Sequence, residues 1–180
     1  MRTFVAVEIS NENVLNAIAK LQSDLQIKAK PVSKENMHFT LLFLGEISEE
    51  MAQKVMESLN DVSFNPIEVN LAGVGAFPNP RSPRVVWIAV DDVAATSLIK
   101  LAVQVEEKLS PLGFRSDKPF KPHLTIFRIK NRINNISQEL NRFKTIEIGR
   151  SVISELKFKK SILTPTGPIY SDLQVVKAKQ

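Results

Sequence analysis

Apolar positions along this chain alternate between two rhythms, the short runs of strands and the three-to-four spacing of amphipathic helices. Thr3–Ile9 is a strand-like run. Ser10 then stands at an expected helix N-cap, and Val14, Leu15, Ile18 and Leu25 follow at helical spacing. Lys30-Pro31 and Ser33–Asn36 read as a loop, and Met37–Leu44 as a second strand closed by Gly45. That strand is apolar on both faces apart from one histidine and one threonine, which predicts a central position in its sheet. Ser48 is expected to cap a second helix, with Glu49 and Glu50 in the first turn where they favour the dipole. Met51, Val55 and Leu59 form its inner stripe, and Ile67–Gly73 is a third strand.

The second half repeats this order. Val85–Val90 is a strand, and Leu98, Leu101, Ala102, Val105 and Leu109 mark a helix that stops near Pro111 and Gly113. A loop from Arg115 to Lys121 leads into the strand Pro122–Ile129. A short helix is expected around Ile136–Phe143, then a strand over Ser151–Phe158, with Leu156 and Phe158 facing away from Lys157 and Lys159. Ile169–Val176 is a last strand, placed within 168–177.

The halves share little side-chain similarity, but their spacings agree. Val5 to His38 is 33 residues and Val86 to His123 is 37. The order predicts an α+β fold made of internally duplicated β-α-β-α-β units, approximately 1–76 and 84–163. Two lobes related by a pseudo-twofold axis would then carry mainly antiparallel sheets flanking a central cleft, with helices outside. The Pro-rich segment 77–83 connects them, since its prolines exclude a regular helix or central strand.

The chain's only two histidines sit in matching tripeptides, His38-Phe39-Thr40 and His123-Leu124-Thr125. Residues i and i+2 of a strand share a face roughly 7 Å apart, so each histidine points the same way as its threonine. A single His-x-Thr in a strand is an ordinary hydrogen-bonded polar pair of a core. Two such pairs at the same position of a repeated unit are better explained by one wet cleft between the lobes. A twofold axis would bring the imidazoles face to face, which is the equipment for acid–base chemistry at phosphorus.

Composition narrows the chemistry. Apolar residues make up 43% and charged ones 24%, ordinary for a globular protein, and no apolar run reaches the ~20 residues of a membrane span. Cysteine is absent, which removes thiolate catalysis and zinc–thiolate sites. No secretory leader is visible, so the expected location is cytoplasmic. No unexplained apolar stripe remains, so a monomer is expected. Two imidazoles need at least one more ligand; with no His-x-His, HExxH or cysteine, and with Asp91-Asp92 reading as a helix start, no metal is predicted, and no Gly-rich nucleotide loop predicts no cofactor. Charge is uneven: residues 1–90 hold 8 basic and 10 acidic side chains, residues 91–180 hold 16 and 9. Within 115–132 six basic residues (Arg115, Lys118, Lys121, Arg128, Lys130, Arg132) face only Asp117. A basic run alone is a solvated face, but this one surrounds the second histidine and suits a polyanion.

HFTLLFLGE and PHLTIF, with their histidines 85 residues apart in a basic chain of 180, resemble the two HxTx motifs of the two-histidine phosphoesterase superfamily. The nearest resemblance is to the RNA 2′,3′-cyclic phosphodiesterase family, also called 2′-5′ RNA ligases. It takes in the opening strand Arg2–Val7, the approach Glu35-Asn36-Met37 and the exit Phe43-Leu44-Gly45-Glu46. It implies a two-lobed fold with the histidines across a cleft, His38 as proton donor and His123 as proton acceptor. Thr40 and Thr125 would hold phosphate oxygens, and Arg128 would contact the phosphate. Arg128 is five residues after His123, an odd offset, so the strand must bulge to bring it to the same face. Relatives often carry an arginine before the first motif, where this chain offers Lys30 and Lys34.

The implied reaction is metal-independent hydrolysis of RNA 2′,3′-cyclic phosphate ends, tRNA-derived ends among them, to a 2′-phosphomonoester. Its reverse would join a 5′ hydroxyl in a 2′-5′ bond, driven by mass action because no ATP site is visible. Sister activities on cyclic nucleotides or 2′-5′ oligonucleotides stay open, as does an RNA-binding module without catalysis. Against the last, aromatic residues are 7%, Trp87 and Tyr170 are single, and no aromatic cluster suggests a base-stacking platform.

Overall fold

The computed structural model describes all residues, Met1–Gln180. The order is β1 (Arg2–Glu8), α1 (Glu12–Asp24), β2 (His38–Glu46), α2 (Glu49–Leu59), β3 (Ile67–Phe77), β4 (Val85–Val90), α3 (Asp92–Leu109), β5 (Leu124–Arg128), α4 (Ser137–Arg142), β6 (Glu147–Ile153), β7 (Glu155–Thr164) and β8 (Gly167–Lys177). Local chemistry sets the helix starts. Asn11, one residue after the expected Ser10, accepts from the Val14 amide at 3.1 Å. Ser48 accepts from the Met51 amide at 3.1 Å, and Asp91 from that of Ala94 at 3.1 Å.

Two four-stranded antiparallel sheets run β2-β1-β7-β8 and β5-β4-β3-β6. Each takes strands from both halves of the chain: β3 pairs with β4, and β7 returns to pair with β1. The expected strand over 151–158 is divided accordingly. β6 ends at Ile153 in the second sheet, and β7 begins at Glu155 in the first.

β2 is an edge strand, not the central one expected from its apolar faces. Phe39, Leu41, Leu42 and Leu44 are buried all the same, because β2 packs on α3 and lies against β5, the matching edge of the other sheet. The cover comes from outside the strand's own sheet, so burial on both faces does not distinguish the two positions. α1 packs on β5 and β6, and α2 on α3. One continuous apolar core runs through both lobes. No helix is long and apolar enough to cross a membrane.

Candidate active site

Where the two histidine-bearing edges meet, a cavity of about 1000 Å³ opens between the sheets. His38, Thr40, His123, Thr125 and Arg128 all line it. His38 is the first residue of β2, and His123 directly precedes β5.

The imidazoles are held alike. His38 Nδ1 lies 2.7 Å from the carbonyl oxygen of Asn36, and His123 Nδ1 lies 2.6 Å from that of Lys121. A carbonyl only accepts, so each Nδ1 carries a proton and donates it to the residue two positions back. Each Nε2 is thereby the nitrogen left for chemistry. That of His38 is 2.9 Å from Thr40 Oγ1, whereas that of His123 has no protein partner. Aromatic rings brace both imidazoles. Phe4 and Tyr170 lie 5.3 and 5.4 Å from His38, and Phe77 and Trp87 lie 4.9 and 6.3 Å from His123, centroid to centroid. Trp87 can lie flat across β3 only because Gly75 is its cross-strand partner. A Cβ there would stand 2.3 Å from the indole ring.

Bulges decide which further residues reach the cleft. On β4 Val86 pairs with Phe127 and Trp87 with Thr125, so Ile126 is an extra residue on β5. Ile126 and Phe127 are both buried, and Arg128 returns to the face of Thr125. That removes the parity objection raised by its odd offset. The first motif is built the same way. Val5 pairs with Leu42 and Ala6 with Thr40, both Leu41 and Leu42 are buried, and Phe43 emerges into the cleft at 67% exposure. Phe43 therefore occupies the position pseudo-equivalent to Arg128.

Burial pushes both imidazoles below their ordinary value of 6.5. The Asn36 and Lys121 hydrogen bonds oppose this, and the charge of Arg128 adds to it at both rings. His38 also feels Lys159, which lowers it, and Glu8, which raises it. Of the two lysines before the first motif, Lys34 turns away to Asn16 and Glu12 on α1. Lys30 lines the cleft but donates to the Thr166 carbonyl. Lys30, Arg115, Lys118, Lys121, Arg128, Lys130 and Lys159 line the cavity against only Glu35 and Asp117, so the cleft is strongly electropositive.

The sequence pattern singled out the histidines and threonines, and the family resemblance Arg128, but neither pointed to Phe43, Tyr170, Trp87 or Lys159 as residues of the site. No aromatic cluster was expected from the sequence, and one forms here. Phe4, Phe43 and Tyr170 come from three strands distant in sequence and cluster beside His38.

The LigT-like phosphoesterase family model matches the chain twice, over residues 7–87 and 88–170. A protein of Archaeoglobus fulgidus named RNA 2′,3′-cyclic phosphodiesterase is 44% identical over 97% of this chain and 99% of its own. One of the same name from Methanocaldococcus jannaschii is 40% identical over 94% and 96%. Among solved structures, TT0787 of Thermus thermophilus superposes with a TM-score of 0.83 at 28% identity, covering 98% of this chain and 97% of that one. Escherichia coli LigT in apo form shares the fold, with a TM-score of 0.76 at 22% identity over 99% and 98%.

Proposed function

This chain belongs to the LigT-like phosphoesterase family, and from that premise we propose that it is an RNA 2′,3′-cyclic phosphodiesterase working by two-histidine acid–base catalysis. One observation carries the reading: each imidazole is fixed through Nδ1 to a main-chain carbonyl, which leaves both Nε2 atoms for one electropositive cavity.

Neutral His123, whose Nε2 is unoccupied, takes a proton from water as the water oxygen bonds to phosphorus. The P–O3′ bond breaks on the opposite side, and protonated His38 gives its Nε2 proton to the departing 3′ oxygen. A 2′-phosphomonoester and a free 3′ hydroxyl result. Thr40, Thr125 and Arg128 hold the non-bridging oxygens as their charge grows. The two imidazoles move both protons, so no metal is required of the mechanism. Phe43 offers an exposed π-face for the nucleobase of the cyclic end. The working unit is the whole two-lobed chain as a monomer, each lobe drawing strands from both repeats, 1–76 and 84–163, with 77–83 turning between β3 and β4 of one sheet. Its substrates are RNA ends in the cytoplasm, tRNA-derived ends among them, and the reverse 2′-5′ ligation is a side reaction.

The test is a 2′,3′-cyclic-phosphate oligonucleotide in EDTA, with the product identified and the rate followed against pH. We expect a 2′-phosphate and a bell-shaped kcat/KM. The acid limb is the deprotonation of His123, and the alkaline limb is the loss of the His38 proton. Both free-enzyme values lie below 6.5, so the optimum of kcat/KM falls on the acid side of that value. A bound phosphate anion favours the imidazolium form, so the kcat optimum lies at higher pH than that of kcat/KM. Activity abolished by EDTA, or a kcat/KM optimum well above pH 7, would overturn this mechanism.

A further inference from the structure

Behind the His38 wall lies a ring of charge that the two-histidine mechanism does not use. Lys159 on β7 donates to Glu8 on β1, and at 2.6 Å to Asp172 on β8. Lys157 lies 2.9 Å from the other Glu8 oxygen and 3.0 Å from the other Asp172 oxygen. Two cations and two anions alternate around a closed, electrically balanced circuit. The Lys159 side chain is only 6% exposed. Such a ring is a poor device for stability alone, because desolvating Lys159 and fixing four flexible side chains offsets much of what their pairing returns.

Placement supplies the reason for it. Glu8 is the cross-strand partner of His38, and Lys159 is the partner of Phe4, whose ring rests on His38. Of the two lysines, Lys159 lines the cavity and Lys157 does not. An ammonium has three donors. Glu8 and Asp172 take two from Lys159, and one remains. We propose that Lys159 is the second cationic ligand of the substrate phosphate, on the His38 flank, facing Arg128 across the cleft. Glu8 and Asp172 preorganise its ammonium, and they neutralise it while the cleft is empty. The ligand is a phosphate oxyanion, and its second cation comes from β7 and not from the approach to the first motif, where Lys30 and Lys34 are turned to other partners. This proposal rests on the phosphodiesterase reading above.

Two charge-balanced variants test it. K159M/E8Q and K157M/E8Q each remove one lysine and one carboxylate from the same ring, but only the first removes the ammonium at the cleft. We expect K159M/E8Q to lower kcat/KM for a cyclic-phosphate oligonucleotide by about 10²-fold, with at least tenfold weaker binding of inorganic phosphate. K157M/E8Q should lose at least tenfold less in both. A merely structural ring predicts equal losses. Should K159M/E8Q fail to fold, the wild-type protein decides the matter. Its lysine ammonium signals in 1H–15N spectra are followed as inorganic phosphate is added, and that of Lys159 should move much more than that of Lys157. Equal losses, or an unmoved Lys159 signal, overturn the proposal. The phosphate titration does not depend on turnover, so failure of the phosphodiesterase reading would appear separately, as a wild-type protein that binds phosphate but leaves the cyclic end intact.

Discussion

His38→Ala and His123→Ala should each lower kcat on a cyclic-phosphate oligonucleotide by 10²–10⁴-fold, the usual worth of a positioned acid or base. Affinity for the RNA end should change little, because Arg128, the threonines and the basic rim remain. An RNA-binding module would show the opposite, affinity lost along with any turnover. The double variant should fall well short of the product of the two losses, since the proton transfers belong to one displacement and the residual rate comes from phosphate binding alone. The roles separate on a second substrate. Bis(4-nitrophenyl) phosphate expels a nitrophenolate that needs no proton, so His38→Ala should recover most of its loss there, whereas His123→Ala, which still lacks a base for water, should not. Equal recovery by both variants would reverse or remove the acid and base assignments. The asymmetry has a structural basis: His38 Nε2 is held by Thr40 at 2.9 Å, while that of His123 is unpartnered and suited to receive water.

What could be read from the sequence, and what could not, divides along the line between local and non-local interactions. The His-x-Thr tripeptides were legible because a period of two puts each pair on one face whatever the strand's neighbours are. Ser48 was legible as a helix cap, and it caps α2. The position of β2 was not. Its apolar faces meet α3 and β5, both distant in sequence, and nothing in NMHFTLLFLGE says which partners supply the cover. The same limit hid Lys159. LKFKK reads as a strand with a solvated lysine face, and only the return of β7 to β1 turns that face towards Glu8 and the cleft. Ser151–Phe158 looked like one strand because its apolar alternation survives Ser154, where the chain passes from one sheet to the other.

Arg128→Gln should lower kcat/KM by about 10²–10³-fold, the range for losing one preorganised donor to a developing oxyanion. Arg128→Lys should recover only part of this, because a lysine restores the charge without the planar fork that spans two phosphate oxygens. A lost phosphate contact alone would leave the enzyme's ionisations in place. Here they should move, because the Arg128 charge disfavours the imidazolium at both His38 and His123. Without it both values rise, and the two limbs of the free-enzyme profile shift together to higher pH. In Arg128→Lys they should stay closer to the wild type. A loss of rate with both limbs unmoved would mean that Arg128 stands away from the imidazoles in the working enzyme. Its reach depends on the single extra residue at Ile126. In a regular strand the guanidinium would share a face with Leu124 and lie against the core, where an unpaired charge is far costlier than a bulge. The phosphate site is therefore a consequence of strand register, and any change that restores regular pairing between β4 and β5 should cost as much activity as removing the arginine itself.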